Sequence, residues 1–131
     1  MTVNYRSVKE SLERVRDLSN LSDRVKESLY EKRVLRLVCG DTYLWIFNSR
    51  DRDYLIIPRM YCSCMDFELN VVIRKTKKYC YHLITQHIAE GRALFKELHV
   101  SKESLNDILV EVLYIGRSST LRKLLAYGGN S

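Results

Sequence analysis

The sequence predicts an α+β fold, in which a small antiparallel β-sheet and a Cys3His group lead into a helix, with further helices at both ends. Two observations support this prediction. Apolar residues recur at three- and four-residue intervals before residue 34 and after residue 81, as expected of amphipathic helices. Between them, residues 34–57 are rich in β-branched and aromatic residues and are divided by short polar turns, which is typical of antiparallel strands. Helices, then a sheet, then helices is an α+β order.

The N-terminal region is predicted to form two helices. One face of the first, over residues 4–18, carries Tyr5, Val8, Leu12, Val15 and Leu18. Ser19 and Asn20 interrupt this pattern. Ser22 is the expected N-cap of the second helix, because its hydroxyl can accept a bond from a free N–H of the first turn. That helix should end between Tyr30 and Arg33.

Three strands are expected, over residues 34–39, 42–47 and 54–57. Gly40-Asp41 is the predicted turn of the first hairpin. Pro58 should end pairing on the third strand or confine that strand to an edge of the sheet, because proline has no N–H to donate. Residues 66–73 fit either a strand or an irregular segment, and the sequence leaves both open.

The C-terminal part is predicted to be helical again. A helix should run from His82 to Phe95, loosened at Gly91. Ser101 is the expected N-cap of a longer helix, whose apolar face consists of Leu105, Ile108, Leu109, Val112 and Leu113. Ser118 or Ser119 should cap a last short helix that carries Leu121, Leu124 and Leu125 and ends at Gly128-Gly129.

Length and composition indicate one compact domain. The chain has 131 residues, 46% of them hydrophobic and 29% charged, which excludes a disordered or collagen-like protein. We divide it into an N-terminal helical region (1–33), the sheet with the cysteine–histidine group (34–98) and the C-terminal helices (99–131).

No apolar run approaches the ~20 residues of a membrane span, and the charged N-terminus does not resemble a secretory signal. We therefore expect an intracellular protein, in the cytoplasm and nucleoid or in the nucleus, with reduced cysteines.

Cysteine and histidine spacing predicts a metal site. Cys62 and Cys64 stand one residue apart, and after residues 65–79 the chain continues with Cys80 and His82. On an extended segment, side chains two residues apart project to the same side, so both thiols of the first pair can bind one ion. The second pair can converge if Cys80 lies just before a helix and His82 lies in its first turn. Three thiolates and an imidazole are a ligand set for tetrahedral Zn²⁺.

Other interpretations of these residues were considered. The cysteines could be separate core residues with His82 an ordinary helix residue, and Cys62 and Cys64 could form a redox dithiol, although no thioredoxin-like βαβ unit surrounds them. His87 and His99 are substitute ligands by residue type, but His87 falls on an apolar helix face and fits a hydrogen-bonded core histidine better. Cys39 fits a buried strand position.

A Cys3His zinc is predicted to be structural. All four coordination positions are filled by the protein, whereas a catalytic zinc keeps one position for water. The sequence also contains no recognisable nucleophile–base pair, glycine-rich phosphate loop or HExxH motif. We therefore expect one structural Zn²⁺, no enzymatic activity and no small-molecule substrate.

Basic residues outnumber acidic ones by 22 to 16, which gives a net charge of +6 and favours polyanionic partners. The most concentrated basic segment is Arg74, Lys75, Lys77 and Lys78 around Thr76, without an acid between them. We consider these four side chains candidates for contacts with nucleic-acid phosphates. The alternative is an exposed turn that charge keeps soluble.

Several segments together resemble a known family. They are Tyr61-Cys62-Ser63-Cys64, Ile73-Arg74-Lys75, Cys80-Tyr81-His82-Leu83 and the helix sequence over residues 100–109. They are similar to the SWIM-type zinc finger, and in particular to the small SWIM subunit of Shu-type recombination mediators, over about residues 40–113. The resemblance implies that Cys62, Cys64, Cys80 and His82 bind the metal. The chain departs from the family pattern at Thr85, where alanine is common.

The resemblance also implies a function. Family members pair with a RecA/Rad51-like ATPase and support homologous recombination by helping the recombinase on DNA, so this ATPase and DNA are the expected partners. Two alternatives remain open from the residues themselves. One is a DNA-binding finger that works alone as a mobile-element or chromatin accessory, and the other is a protein-interaction module without DNA contact.

Overall fold

In a computed structural model, which describes residues 5–13 and 21–127, the chain has the α+β fold that the sequence predicts. The helices are α1 (Tyr5–Glu13), α2 (Asp23–Tyr30), a π-helix (Phe67–Ile73), α3 (Tyr81–Arg92), α4 (Lys102–Tyr114) and α5 (Ser119–Ala126). The strands are β1 (Val34–Cys39), β2 (Thr42–Asn48), β3 (Asp53–Ile57), β4 (Tyr61–Cys62) and β5 (Lys96–His99). No helix within these two ranges combines the length and the apolar character that crossing a bilayer requires.

The strands form a five-stranded sheet in the order β4-β3-β2-β1-β5. The three predicted strands, β1 to β3, pair antiparallel, as expected, and β4, which was not predicted as a strand, adds antiparallel to β3. The fifth strand, β5, pairs parallel with β1, so the sheet is mixed. The predicted helix from His82 to Phe95 is therefore too long. It ends at Arg92 because Ala93 adopts a left-handed conformation with φ of 55°, and the chain then enters β5. Only Leu98 is buried in β5, so the strand has too little apolar alternation to be recognised from sequence.

Both faces of the sheet are covered by helices. Trp45, Phe47 and Ile56 pack in one core with α1, α2 and α3. Alternate residues of the same strands, such as Ile46 and Leu55, pack in a second core with α4 and α5. The period of two along a strand thus divides the molecule into two layers, one on each face.

Most predicted helix boundaries agree with the structure. Ser22, Ser101 and Ser118 are the N-caps of α2, α4 and α5, and each accepts a bond from the backbone N–H three residues later. On α4, however, Leu113 is exposed and does not belong to the buried face. The expectations for Val15, Leu18, Ser19-Asn20 and Gly128-Gly129 lie outside the described residues.

Residues 66–73 form neither a strand nor an irregular segment. Seven of them make up the π-helix, in which Phe67 and Val71 are buried while the residues between them are half-buried or exposed. Every second residue from Phe67 to Ile73 is apolar, which imitates a strand in the sequence. The wide turn of a π-helix instead places Phe67 and Val71 together against the core of α3.

Candidate metal centre

The first pair of cysteines lies at the end of β4. Ser63, between them, continues beside β3, where its N–H donates to the Leu55 carbonyl at 3.0 Å and its hydroxyl accepts from the Leu55 N–H at 2.9 Å. Because these bonds keep Ser63 beside β3, Cys62 and Cys64 both point into the core. The sequence prediction for this pair is confirmed.

The second pair lies at the start of α3. Cys80 is the N-cap, with an extended backbone at φ −91° and ψ 168°, and His82 is in the first turn. This is the arrangement that allows two residues so close in sequence to face one point. The N-terminal end of a helix also favours the negative charge of a thiolate.

The four side chains meet at one buried point. Their ligand atoms all lie within 4.8 Å of one another, and Cys62 Sγ is 3.8 Å from His82 Nδ1. With metal–sulfur bonds of about 2.3 Å, the sulfurs of a tetrahedral site lie about 3.8 Å apart, so the spacing fits one ion. All four residues are at most 6% exposed. Cys62, Cys64, Cys80 and His82 thus form a group that could hold one metal ion.

The thiols strongly affect one another's protonation. Side-chain hydrogen bonds with Cys62 and Cys80 lower the pKa of Cys64 far below its ordinary value. Hydrogen bonds with Cys64 and Cys80, together with burial, raise the pKa of Cys62 well above it. For Cys80, a hydrogen bond with Cys62 lowers the pKa, but the one with Cys64 and burial raise it to about 12. Three buried thiols so close together cannot all ionise unless a cation compensates their charge, which is the behaviour of a cation-binding group.

Aromatic rings hold the histidine in place. The His82 ring lies 4.5 Å from the Phe47 ring, 4.5 Å from the Tyr54 ring and 4.0 Å from the Tyr81 ring, measured between centroids. On the other side, the Phe67 N–H donates to Cys64 Sγ at 3.3 Å. The sequence alone did not assign these residues a role at the metal group. Apart from Tyr81, which is next to a ligand, they lie on other elements and have no local pattern that connects them to the metal group.

The basic segment lies between the π-helix and Cys80, and all four of its cations are exposed. Its backbone is anchored, because the N–H groups of Thr76 and Lys77 both donate to the Asn70 carbonyl, at 2.8 and 3.1 Å. Lys77 Nζ also pairs with Asp66, at 3.0 and 3.1 Å from its two carboxylate oxygens.

The other three cations differ from Lys77. Among the described residues, Arg74, Lys75 and Lys78 have no carboxylate partner. Three of the four predicted phosphate-contacting side chains are therefore available, and the fourth has its charge compensated by Asp66.

The remaining cysteine and histidines are not members of the metal group. His87 is half-buried on α3, and burial together with Arg59 lowers its pKa. Its hydrogen bond to the backbone of Leu12 connects α3 to α1. His99 is exposed and lies 3.2 Å from Glu97. Cys39 is half-buried against the aliphatic core and is less buried than we expected.

Thr85, where the chain departs from the family pattern, is fully buried. Its hydroxyl donates to the Tyr81 carbonyl at 2.6 Å, within the same helix. The larger side chain is thus accommodated inside the protein and does not form part of an exposed face.

Comparison of the chain with protein-family models, with curated proteins and with solved structures gave no match. The SWIM-type assignment stays a prediction of the sequence.

Proposed function

We propose that the chain is a non-enzymatic SWIM-type adaptor that binds one structural Zn²⁺ and joins a RecA/Rad51-like ATPase in homologous recombination. The observation that carries this proposal is the convergence of Cys62, Cys64, Cys80 and His82 within 4.8 Å. Paired spacing of CxC and CxH on a strand end and a helix start is the feature that the sequence shares with that family.

The ligand chemistry favours zinc in a structural role. Thiolate and imidazole ligands in a tetrahedron select Zn²⁺ over hard cations such as Mg²⁺ and Ca²⁺. When bound, the ion crosslinks the end of β4 to the start of α3. The protein supplies four ligands and leaves no position for a reacting water, which supports a function other than catalysis.

Metal content tests the first part of the proposal. The purified chain should contain one zinc per molecule by elemental analysis and by native mass spectrometry. Cys64→Ser should lose the ion, whereas Cys39→Ser removes a thiol outside the group and should keep it. Equal zinc content in the two variants would contradict the assignment.

The exposed cations support a contact with DNA. Arg74, Lys75 and Lys78 have free charges on a segment anchored to the π-helix, directly before ligand Cys80. Phosphate contacts release counterions, so each lost contact should reduce the salt dependence of binding by roughly one unit of slope. Because Lys77 is paired with Asp66, alanine at the other three positions should account for most of the effect of replacing all four.

Partner capture tests the adaptor function. The tagged protein, purified from its native cells with nuclease treatment, should retain a RecA/Rad51-like ATPase in near-stoichiometric amount. Recovery of an unrelated partner would end the recombination proposal and leave the zinc assignment intact.

A DNA-binding finger that works alone is the second candidate, and the three unpaired cations favour it. It predicts that the isolated chain binds DNA with micromolar or better affinity and that no ATPase stays bound after nuclease treatment.

A further inference from the structure

One corner of the molecule is built around Arg122 of α5. Its guanidinium donates to the carbonyls of Ser49 and Arg50, at 2.8 and 2.9 Å, and pairs with the fully buried Asp53 at 3.0 Å. Asp53 also donates its backbone N–H to the Gly116 carbonyl at 2.9 Å. These bonds join the β2–β3 turn, residues 49–52, to the α4–α5 loop, residues 115–118. We call this pair of segments the arginine corner.

The two segments of the arginine corner carry three further arginines, Arg50, Arg52 and Arg117. Arg52 donates to the Ile115 carbonyl at 3.2 Å and Arg117 donates to the Asp51 carbonyl at 3.4 Å. Gly116, with φ of +81°, leaves room for this arrangement, since a Cβ there would lie 2.7 Å from Arg52 Nη1. The Arg50 side chain is exposed. Bonds to carbonyls orient a guanidinium without cancelling its charge and leave most of its five donors free.

The lack of carboxylate partners distinguishes these arginines. Within the part of the chain that the structure describes, no carboxylate pairs with Arg50, Arg52 or Arg117. A second basic surface, formed by Arg6, Lys9 and Arg59, differs in this respect, because each of its cations is paired with an acidic side chain. The pairs are Arg6 with Glu10 at 3.1 Å, Lys9 with Glu13 at 4.0 Å and Arg59 with Glu90 at 3.7 Å. The charge of the arginine corner is therefore available to a ligand, whereas that of the second surface is compensated.

An aromatic residue stands next to these charges. Tyr114, the last residue of α4, is 85% exposed, and Ile115, which follows it, is 63% exposed. The Ile115 carbonyl accepts the bond from Arg52, so Tyr114 is one residue from the point that holds this guanidinium. Basic side chains together with an exposed aromatic ring are the combination by which proteins bind single strands, because a base without a paired neighbour can stack on the ring. In a duplex the base faces are covered, so Tyr114 would contribute little.

We propose that the arginine corner binds single-stranded nucleic acid, with Arg50, Arg52 and Arg117 on successive phosphates and Tyr114 stacked on a base. This site is distinct from the basic segment before Cys80, because none of residues 74–78 belongs to the β2–β3 turn or to the α4–α5 loop. It does not require the ATPase partner, and it would hold if that partner were not found.

Anisotropy titration of the zinc-loaded full chain with fluorescein-labelled oligo(dT) of about 20 nucleotides tests the site. Replacing Arg50, Arg52 and Arg117 with glutamine should weaken binding more than about tenfold at 0.1 M salt and reduce the salt slope by about two units. Replacing Arg6, Lys9 and Arg59 with glutamine removes the same charge and should change affinity less than about threefold. Thermal melting of both variants verifies folding.

Two single variants separate the contributions. Arg50→Gln should reduce the salt slope by about 0.7 units without affecting stability, because its side chain holds no part of the fold. Tyr114→Ala should weaken oligo(dT) binding about fivefold or more and leave the slope unchanged, since stacking releases no counterions.

Three results would overturn the proposal. The first is an equal loss of affinity in the two triple variants, which would indicate net charge alone. The second is binding of a duplex of the same length as tightly as oligo(dT), with no effect of Tyr114→Ala. The third is competition by polyglutamate as effective as that by unlabelled oligo(dT), which would indicate an acidic protein surface as the ligand.

Discussion

The two faces of the sheet have different cores. Towards α1, α2 and α3, the buried residues include Cys62, Cys64, Cys80 and His82 among aromatic and aliphatic side chains. Towards α4 and α5, the buried members are all leucine, isoleucine or valine. The first layer contains thiols and an imidazole that need a further partner. In the second layer the buried cluster is stabilised by apolar burial, and the buried Asp53 and Ser118 on that side are already hydrogen-bonded within the protein.

This difference shows what the metal group contributes. Between β4 and α3, over residues 63–80, the buried residues apart from the two cysteines are Phe67 and Val71. Two apolar side chains are few for a segment of this length, because ordering each backbone residue costs about 1–2 kcal/mol. We infer that metal coordination holds this segment, and the following predictions test the contrast between the two layers.

Removing the metal should have the largest effect. Binding free energies of structural zinc are about 10–16 kcal/mol at neutral pH, which is comparable to the whole stability of a small domain. Treatment with a chelator should therefore abolish the cooperative thermal transition. In hydrogen exchange at partial metal loss, the amides of α3 should lose protection before those of α4. An unchanged melting temperature after verified metal removal would contradict a structural site.

Loss of a buried ion pair should be the next largest effect. Asp53 is fully buried and accepts bonds from Arg122, Asn48 and the Ser118 N–H. Asp53→Ala should cost about 3–5 kcal/mol in urea denaturation of the metal-loaded protein, because it leaves a guanidinium without its charge partner. The exposed Asp51 is the control, and Asp51→Ala should change stability by less than about 0.5 kcal/mol.

A cavity in the aliphatic layer should destabilise the protein without affecting the metal. Ile108 is fully buried on α4, and Ile108→Ala should cost about 2–5 kcal/mol. Val110 on the same helix is 55% exposed, so Val110→Ala should cost much less. Zinc content should stay at one per chain in both variants. A lower zinc content in Ile108→Ala would show that the two layers are not independent.

The smallest expected effect is a pH dependence in the metal-side layer. Burial and Arg59 lower the pKa of His87 below its ordinary value of 6.5, although Glu90, Glu13 and the Leu12 backbone oppose them. In the unfolded chain the histidine protonates first, so its contribution to stability is full above pH 6.5 and decreases as the pH falls through the lower folded pKa. As the pH falls below 6.5, the free energy of unfolding of the wild type should therefore decrease more than that of His87→Gln. A difference independent of pH would contradict this assignment.

Predictions from sequence succeeded where the pattern was local. An N-cap needs only a hydroxyl and the backbone N–H three residues later, so it can be recognised from the local sequence. This is how the caps were predicted at Ser22, Ser101 and Ser118. The metal group depends on two local pairs, and each pair brings its own ligands together through strand or helix-start geometry.

Predictions failed where distant residues decide the structure. β5 exists because Leu98 lies beside Leu37 of β1 in a parallel register, and four residues hold no recognisable pattern alone. For residues 66–73 the sequence left a strand and an irregular segment open, and neither is correct. The π-helix that forms there depends on packing against the core of α3. The exposure of Leu113 likewise depends on which part of α4 the sheet covers.

The sequence by itself determined the α+β class, the helix starts and the four residues that could hold a metal, since these depend on side-chain periodicity and short spacings. Only the tertiary structure decided which cations are free. Lys77 is paired with Asp66, whereas Arg50 and Arg117 lie in the two segments of the arginine corner and have no carboxylate partner among the described residues. Charge compensation depends on distances between elements that are far apart in the chain, and a sequence does not contain those distances.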